Sequence, residues 1–383
     1  MVLSDSTVQD FRQTIEKDWN TLIADWVKIA ETPAPTGEEQ RRAQIVAELF
    51  REYGAETVEQ DGLGNVIART REETSPTLAI TAHLDTVFDH SVDHTVSLDD
   101  RVIQGPGVGD DSLGLAALVS LLRTLPRRDL GDCLLVATCG TEGEGNLLGS
   151  REFLEAFSDQ LDFALCLEGH RLSRIDHRSL GTHRIKIRAK SDGGHVWRDE
   201  TGVNPIEVLS DLIVELKQVT ALKKEEGIVN FGMFRGGSAY NTVPYEAELK
   251  VEIRVSRHEL LSELTAKLEQ TVDSFAMDSS LELGIETVSR RPVAEIPREH
   301  WLVRSVESVH DQIGLNSRFG AASSDSSVFL DAGVPAVTLG LAEGENKHRP
   351  NETIDLSSVR TGQLQLLLSI IEASKQFRRE RDR

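Results

Sequence analysis

Histidines and carboxylates stand where the apolar runs of this chain stop. Thr77–Ala82 leads into His83-Leu84-Asp85, and Cys133–Thr138 leads into Gly140-Thr141-Glu142-Gly143-Glu144. Phe163–Leu167 ends on Glu168, and Val334–Gly340 is followed by His348 in a polar loop. Gly105-Pro106-Gly107-Val108-Gly109-Asp110-Asp111 opens another apolar stretch. Imidazole and carboxylate without thiolate suit zinc, with manganese or cobalt as alternatives. His83, Asp110, Glu168, His348 and one glutamate of the 142–144 stretch are too many for one zinc that keeps an open position. They match two divalent ions if one carboxylate bridges. Such a pair, ~3.5–4 Å apart, polarises a carbonyl and holds hydroxide near neutral pH. Hydrolysis at a carbonyl is the expected chemistry, with a general base within reach of the water.

The elements that would carry these residues follow from periodicity. Apolar runs ending in acids and histidines read as strands of an open α/β sheet, which binds ligands at its carboxyl edge. Alternation along an extended chain puts His83 and Asp85 on one side, so that Asp85 can orient the imidazole. The glycines before Asp110 lack the Gly-Lys-Ser/Thr of a phosphate loop, and two aspartates there repel phosphate. A helix is expected over Val8–Ala30, ended by Pro33 and Pro35. Thr36 and Glu39 have the spacing of a capping box, opening a second helix that runs to Tyr53 and stops at Gly54. Gly62–Asn65 reads as a turn between short strands, and Leu113–Leu125 as an apolar helix stopped by Pro126.

From Gly181 to Ser289 the texture changes. Strand, helix, two strands, helix and strand follow one another: His183–Ile187, Asn204–Val219, Ile228–Phe234, Glu246–Val255, Leu260–Phe275 and Leu281–Val288. That βαββαβ order is ferredoxin-like. The expected fold is therefore α/β, with a largely parallel-sheet catalytic domain (residues 1–180 and 291–383) and an inserted ferredoxin-like domain (181–290). The charged end, Arg378–Arg383, reads as a solvated tail.

Composition bounds the partners. A net charge of −21 over 383 residues argues against nucleic acid or an anionic membrane as partner, since both require a basic footprint. No segment has the ~20 apolar residues of a membrane span. Three cysteines, Cys133, Cys139 and Cys166, read as reduced core residues. With no basic-then-apolar start, a cytoplasmic location is expected.

Taken together the motifs resemble the co-catalytic zinc metallopeptidases and deacylases that include peptidase T, aminoacylase, acetylornithine deacetylase and succinyl-diaminopimelate desuccinylase. Thr81–Val87 is similar to that family's first metal motif, and Gly105–Asp111 to its bridging-aspartate motif. Glu343–His348 is similar to its last metal loop. The resemblance implies that His83, Asp110, Glu168 and His348 are ligands. Asp110 would bridge, the Asp110–Asp111 bond would be cis, and Asp85 would orient His83. It implies a lid that closes over two metals, with His195 in Gly193-Gly194-His195 reaching a partner's site in dimers. Asn241 and Arg254 would hold substrate carbonyl and carboxylate groups. The substrate would be a small peptide or N-acyl amino acid, and a homodimer through the lid is expected.

One stretch departs from the family, whose pattern there is two adjacent glutamates, base then ligand. Aligned without a gap, Gly140–Gly149 puts Glu142 at the ligand and Thr141 at the base. A shifted register makes Glu142 the base and Glu144 the ligand but leaves Gly143 between them. A threonine hydroxyl takes no proton from metal-bound water near pH 7. Two readings follow: an amide hydrolase with another base, or a metal-binding relative with impaired hydrolysis that acts as a binding protein.

Overall fold

The computed structural model describes residues 4–70, 78–126, 133–199, 202–223, 225–278 and 281–382. The chain divides into two compact units, Met1–Ser179 with Glu295–Arg383, and Leu180–Ala294.

The larger unit is built on an eight-stranded sheet. Its centre is Cys133–Thr138, Leu78–His83, Phe163–Glu168 and Ala336–Gly340, side by side and mutually parallel. Val66–Arg69 and Thr57–Gln60 extend one edge antiparallel, and Arg174–Ser179 and Arg318–Ala322 extend the other. The central strands are almost wholly buried, as continuous apolar runs in a covered parallel sheet should be. Parallel pairing has a consequence for chemistry, because all four carboxyl ends lie at one edge. His83 pairs with Thr138, and Gly340 with Glu168, so the loops that follow them start level with one another. Thr77, at the start of one expected strand, lies outside the described residues.

Helices Asp5–Ala30, Gly114–Thr124, Trp301–Ile313 and Leu356–Arg381 pack with one another and with the sheet residues in one core. Gly114–Thr124 is buried nearly all round, which explains its predominantly apolar sequence. The indole of Trp26 donates to the Val108 carbonyl at 2.6 Å, tying the first helix to the aspartate loop. Cys133, Cys139 and Cys166 are free thiols in the interior.

Two local expectations are corrected. Thr36 and Glu39 form no capping box: the second helix spans Gln40–Glu52 without a side-chain cap. The helix begins four residues after Thr36, too far on for its hydroxyl to cap, and that hydroxyl donates to Asp85, 2.7 Å away. The charged C-terminus is exposed but helical, since Leu356–Arg381 continues through it.

The smaller unit has a four-stranded antiparallel sheet in the order Gly227–Gly236, Glu246–Val255, Gly181–Lys190, Glu282–Arg291. Helices Pro205–Val219 and His258–Asp278 pack on it. Ala247, Leu249, Val251, Ile253 and Val255 alternate into its core, and the intervening positions carry ion pairs such as Arg184–Glu252 and Arg188–Glu248. Asn204 caps the first helix with Pro205 behind it, as composition predicts. This is the ferredoxin-like arrangement.

His310 offers a test of the larger unit's packing. Its ring is fully buried, 2.8 Å from Ser317 Oγ and 2.9 Å from Gln365 Oε1. Burial pushes its pKa down to about 4, against the Gln365 bond. The unfolded chain titrates this ring near 6.5, so it binds more protons than the native state between those values. Stability should be complete above about pH 6.5 and fall by about 3 kcal/mol as pH drops to about 4. His310→Gln should flatten that part of the profile by one proton in urea unfolding measured across the window. An unchanged slope would show that the ring is protonated in the fold.

Candidate metal centre

The site is assembled by the parallel strands. His83 ends one strand, Glu168 ends the next, and Glu142 and His348 lie on loops that follow two others. Asp110 lies in the kinked turn Val108–Leu113, and its peptide bond to Asp111 is cis. His83, Asp110 and Glu142 bring donor atoms within 4.8 Å of one another. Glu142 is half-buried at this point, whereas Glu144 is exposed.

Asp110 divides its two oxygens. Oδ1 lies 3.2 Å from His83 Nε2 and Oδ2 lies 2.7 Å from His348 Nε2. His348 also approaches Glu142 Oε1 at 3.4 Å. On the Oδ1 side, Lys347 Nζ stands 3.1 Å from Asp110 and 3.0 Å from Glu168 Oε2. Burial opposes charge on Asp110, but Lys347, His348 and His83 hold its carboxyl well below the ordinary range. Hydrogen bonds to Asp110 and Glu142 lift His348 to about 10. Burial disfavours the charged His83 ring, yet its bonds to Asp110 and Asp85 raise its pKa well above the usual value.

Asp85 approaches His83 with both its backbone carbonyl and its carboxylate. The His83 Nδ1 atom is 2.9 Å from the Asp85 backbone carbonyl and 3.4 Å from its carboxylate. The carboxylate accepts from the Thr141 amide at 3.0 Å, the Glu142 amide at 2.7 Å and the Thr36 hydroxyl. It therefore holds the glutamate loop by its backbone. Thr141 turns its hydroxyl to buried Asp325, 2.8 Å away, and Thr138 donates to the other oxygen at 2.6 Å. Burial raises the Asp325 pKa, against these bonds.

Several site groups lie outside the sequence reading. Arg42, wholly buried, donates to the carbonyls of Thr32 and Leu84. Burial lowers its pKa to about 10, while the charges of Asp85, Asp111 and Glu39 oppose the change. Glu39 accepts from the amides of Gly37 and Gly140. Glu352, also fully buried, accepts from the amides of Gly107, Gly109 and Asp110 and pairs with His170. Gly109 must be glycine, since a Cβ would lie 2.4 Å from the His170 ring and 2.6 Å from Glu352. Asp111 Oδ1 is buried without a hydrogen-bond partner among the described residues. Of all these, only the short spacing from His348 to Glu352 and the adjacency of Lys347 were signals in the sequence.

The remaining expected residues are on the smaller unit. His195 lies in a short ladder with Thr242–Val243, and its Nε2 is 3.2 Å from the Asn241 side-chain amide. Arg254 is paired with Glu252 at 3.1 Å, and its buried Nε has no partner among the described residues.

With that geometry described, comparison with known proteins decides the family. The profile of Peptidase family M20/M25/M40 matches residues 79–372. This chain belongs to that family. It is 27% identical over 301 residues to the acetylornithine deacetylase of Erwinia tasmaniensis, covering 74% of this chain and 76% of that one. Its fold matches a tripeptidase from Staphylococcus aureus with a TM-score of 0.76 at 24% identity, over 92% of this chain and 98% of the other. It also matches a Bacillus subtilis protein described as a dinuclear metal-binding peptidase of the M20 family, with a TM-score of 0.67 at 15% identity, over 93% and 98%. Its M20 relatives are hydrolytic enzymes, and the chain is an M20 hydrolase. Among the described residues no helix is long and apolar enough to cross a membrane.

Glu352 tests how the aspartate turn is held. Glu352→Gln replaces an acceptor of three amides with a group that turns a donor toward one of them. The substitution should cost about 2–4 kcal/mol in urea unfolding. A loss below about 0.5 kcal/mol would mean that the turn stands without it.

Proposed function

We propose that this M20 hydrolase uses divalent metal to cleave an amide bond in a small peptide or N-acyl amino acid. The observation that carries the reading is the divided Asp110 carboxylate. Its Oδ2 faces His348 beside Glu142, and its Oδ1 faces His83 on the side of Glu168. Two donor sets sharing one carboxylate are what bridged divalent ions require, and imidazole with carboxylate suits zinc, manganese or cobalt. A bound ion would polarise the scissile carbonyl and lower the pKa of its water.

The chain's own groups then do the rest. Asp85 fixes the backbone of Thr141 and Glu142, so the carboxylate of Glu142 meets the site in one orientation. Thr141 occupies the position of the usual base, and its hydroxyl is committed to Asp325. The reading extends to His195, Asn241 and Arg254 as substrate-contacting groups. Support comes from the His195–Asn241 contact and from Arg254, whose guanidinium is paired with Glu252 while its Nε has no partner among the described residues. A homodimer through the smaller unit belongs to the same proposal. Trp197, Tyr240 and Tyr245 are largely exposed near His195 in sequence or pairing, as an apolar contact surface would be. A cytoplasmic location fits this reading.

The test is a panel of N-acyl amino acids and di- and tripeptides, assayed after chelation and again with zinc, manganese or cobalt. Hydrolysis should vanish on chelation and return with metal. Thr141→Glu should raise kcat by about 100-fold with little change in KM, the lower range of general-base catalysis. Asp325, whose proton affinity burial already raises, can carry the proton that two adjacent carboxylates need. If the natural chain binds metal yet is inert while Thr141→Glu turns over substrate, the binding-protein reading replaces the hydrolase one.

A further inference from the structure

The second donor set around Asp110 already holds a cation. Lys347 Nζ is 3.1 Å from Asp110 Oδ1 and 3.0 Å from Glu168 Oε2, and the same Asp110 oxygen is 3.2 Å from His83 Nε2. A zinc ion held by these groups would sit about 2.0–2.2 Å from each donor. The ammonium bridges the same two oxygens, so metal and amine compete for one space and the same lone pairs. The other set differs. There His348 Nε2 meets Asp110 Oδ2 and Glu142 Oε1, and Lys347 acts on Glu142 only through its charge.

The loop makes this arrangement a consequence of chain geometry. Asn346 and His348 both have left-handed backbones, with φ of 60° and 65°, and Lys347 lies between them. Consecutive side chains are thereby sent to opposite oxygens of Asp110, His348 to Oδ2 and Lys347 to Oδ1. Any rearrangement that keeps His348 in place leaves the amine tethered within reach of the other oxygen. To enter that set a divalent ion must break two ion pairs and push the tethered amine aside, whereas on the His348 side the contacts to Asp110 and Glu142 come from a ring that can itself stay as a ligand.

We propose that Lys347 is a built-in cation that takes the place of one of the two metal ions, leaving a one-metal centre at Asp110, Glu142 and His348. The proposal rests on the metal-dependent reading above and specifies how many ions that site accepts. Lys347 pairs with Asp110 and Glu168 together, so its one positive charge is shared between two carboxylates.

Metal stoichiometry tests it without reference to activity. The full chain is stripped with chelator, titrated with Zn²⁺ by calorimetry, and analysed for bound metal after dialysis. Mn²⁺ loading followed by electron paramagnetic resonance distinguishes isolated from spin-coupled ions. The natural chain should bind one ion tightly, with an uncoupled Mn²⁺ spectrum. Lys347→Met and Lys347→Gln should bind two, the second at least about 100-fold tighter than in the natural chain, and Lys347→Arg should still bind one. Two tight, coupled ions in the natural chain overturn the proposal and leave the metal-dependent hydrolase standing. One ion in both neutral variants, each folded by circular dichroism, also overturns it. No bound metal in any form overturns both readings.

Discussion

Buried negative charge is the constraint around which this molecule is arranged. Glu39, Asp85, Asp110, Asp111, Asp325 and Glu352 all lie below the surface of the larger unit. An unpaired carboxylate in such surroundings is costly or takes up a proton. Each is answered in a different way. Asp85 and Glu352 collect backbone amides, Asp325 collects threonine hydroxyls, and Glu39 spans two loops. Arg42 supplies a fully buried positive charge beside Asp85, Asp111 and Glu39. Asp111 has its pKa raised well above the ordinary value by desolvation, against the pull of His83. Only around Asp110 do the positive groups outnumber what one carboxylate needs: His83, Lys347 and His348 all converge on it.

The parallel sheet explains why so much of this was legible from sequence. A covered parallel strand must be apolar throughout, so its end is marked by the first polar residue, and that residue lies at the carboxyl edge by topology. His83, Glu168 and the 140–146 loop were readable for that reason, and the alternation of Glu246–Val255 was readable because its sheet has one covered face. The capping box failed because the helix starts only at Gln40, and the partner that holds the Thr36 hydroxyl, Asp85, lies far along the chain. Arg42 gave no signal, since an arginine in an amphipathic helix ordinarily faces solvent. Glu352 and Asp325 were missed because their roles are to satisfy amides and hydroxyls brought near only by folding. Lys347 was adjacent to an expected ligand and could have been weighed, but sequence alone does not say which way a loop side chain turns.

The glutamate loop shows how one carboxylate can set the chemistry of its neighbours without touching a reactant. Asp85 takes the amides of Thr141 and Glu142 on separate oxygens. The two side chains then start from a fixed backbone. One leads to the donor cluster and the other to Asp325. The backbone at the Thr141 position is thus held independently of its side chain, whose direction comes from the bond to Asp325.

In the roles proposed above, Thr141 at the base position and Lys347 in the second donor set balance in charge. In the arrangement that the family resemblance implies, the base position carries a carboxylate and both donor sets carry a divalent ion. Threonine in place of glutamate removes one negative charge from the pocket. An ammonium in place of a divalent ion removes one positive charge. The two changes leave the net charge of the centre as it was, and the fields of nearby groups depend on that sum as well as on its placement. On those proposals, proton acceptance would be weaker at one position and Lewis acidity confined to one side of Asp110. A centre of this kind keeps the means to bind and orient a carbonyl while giving up part of its power to activate water.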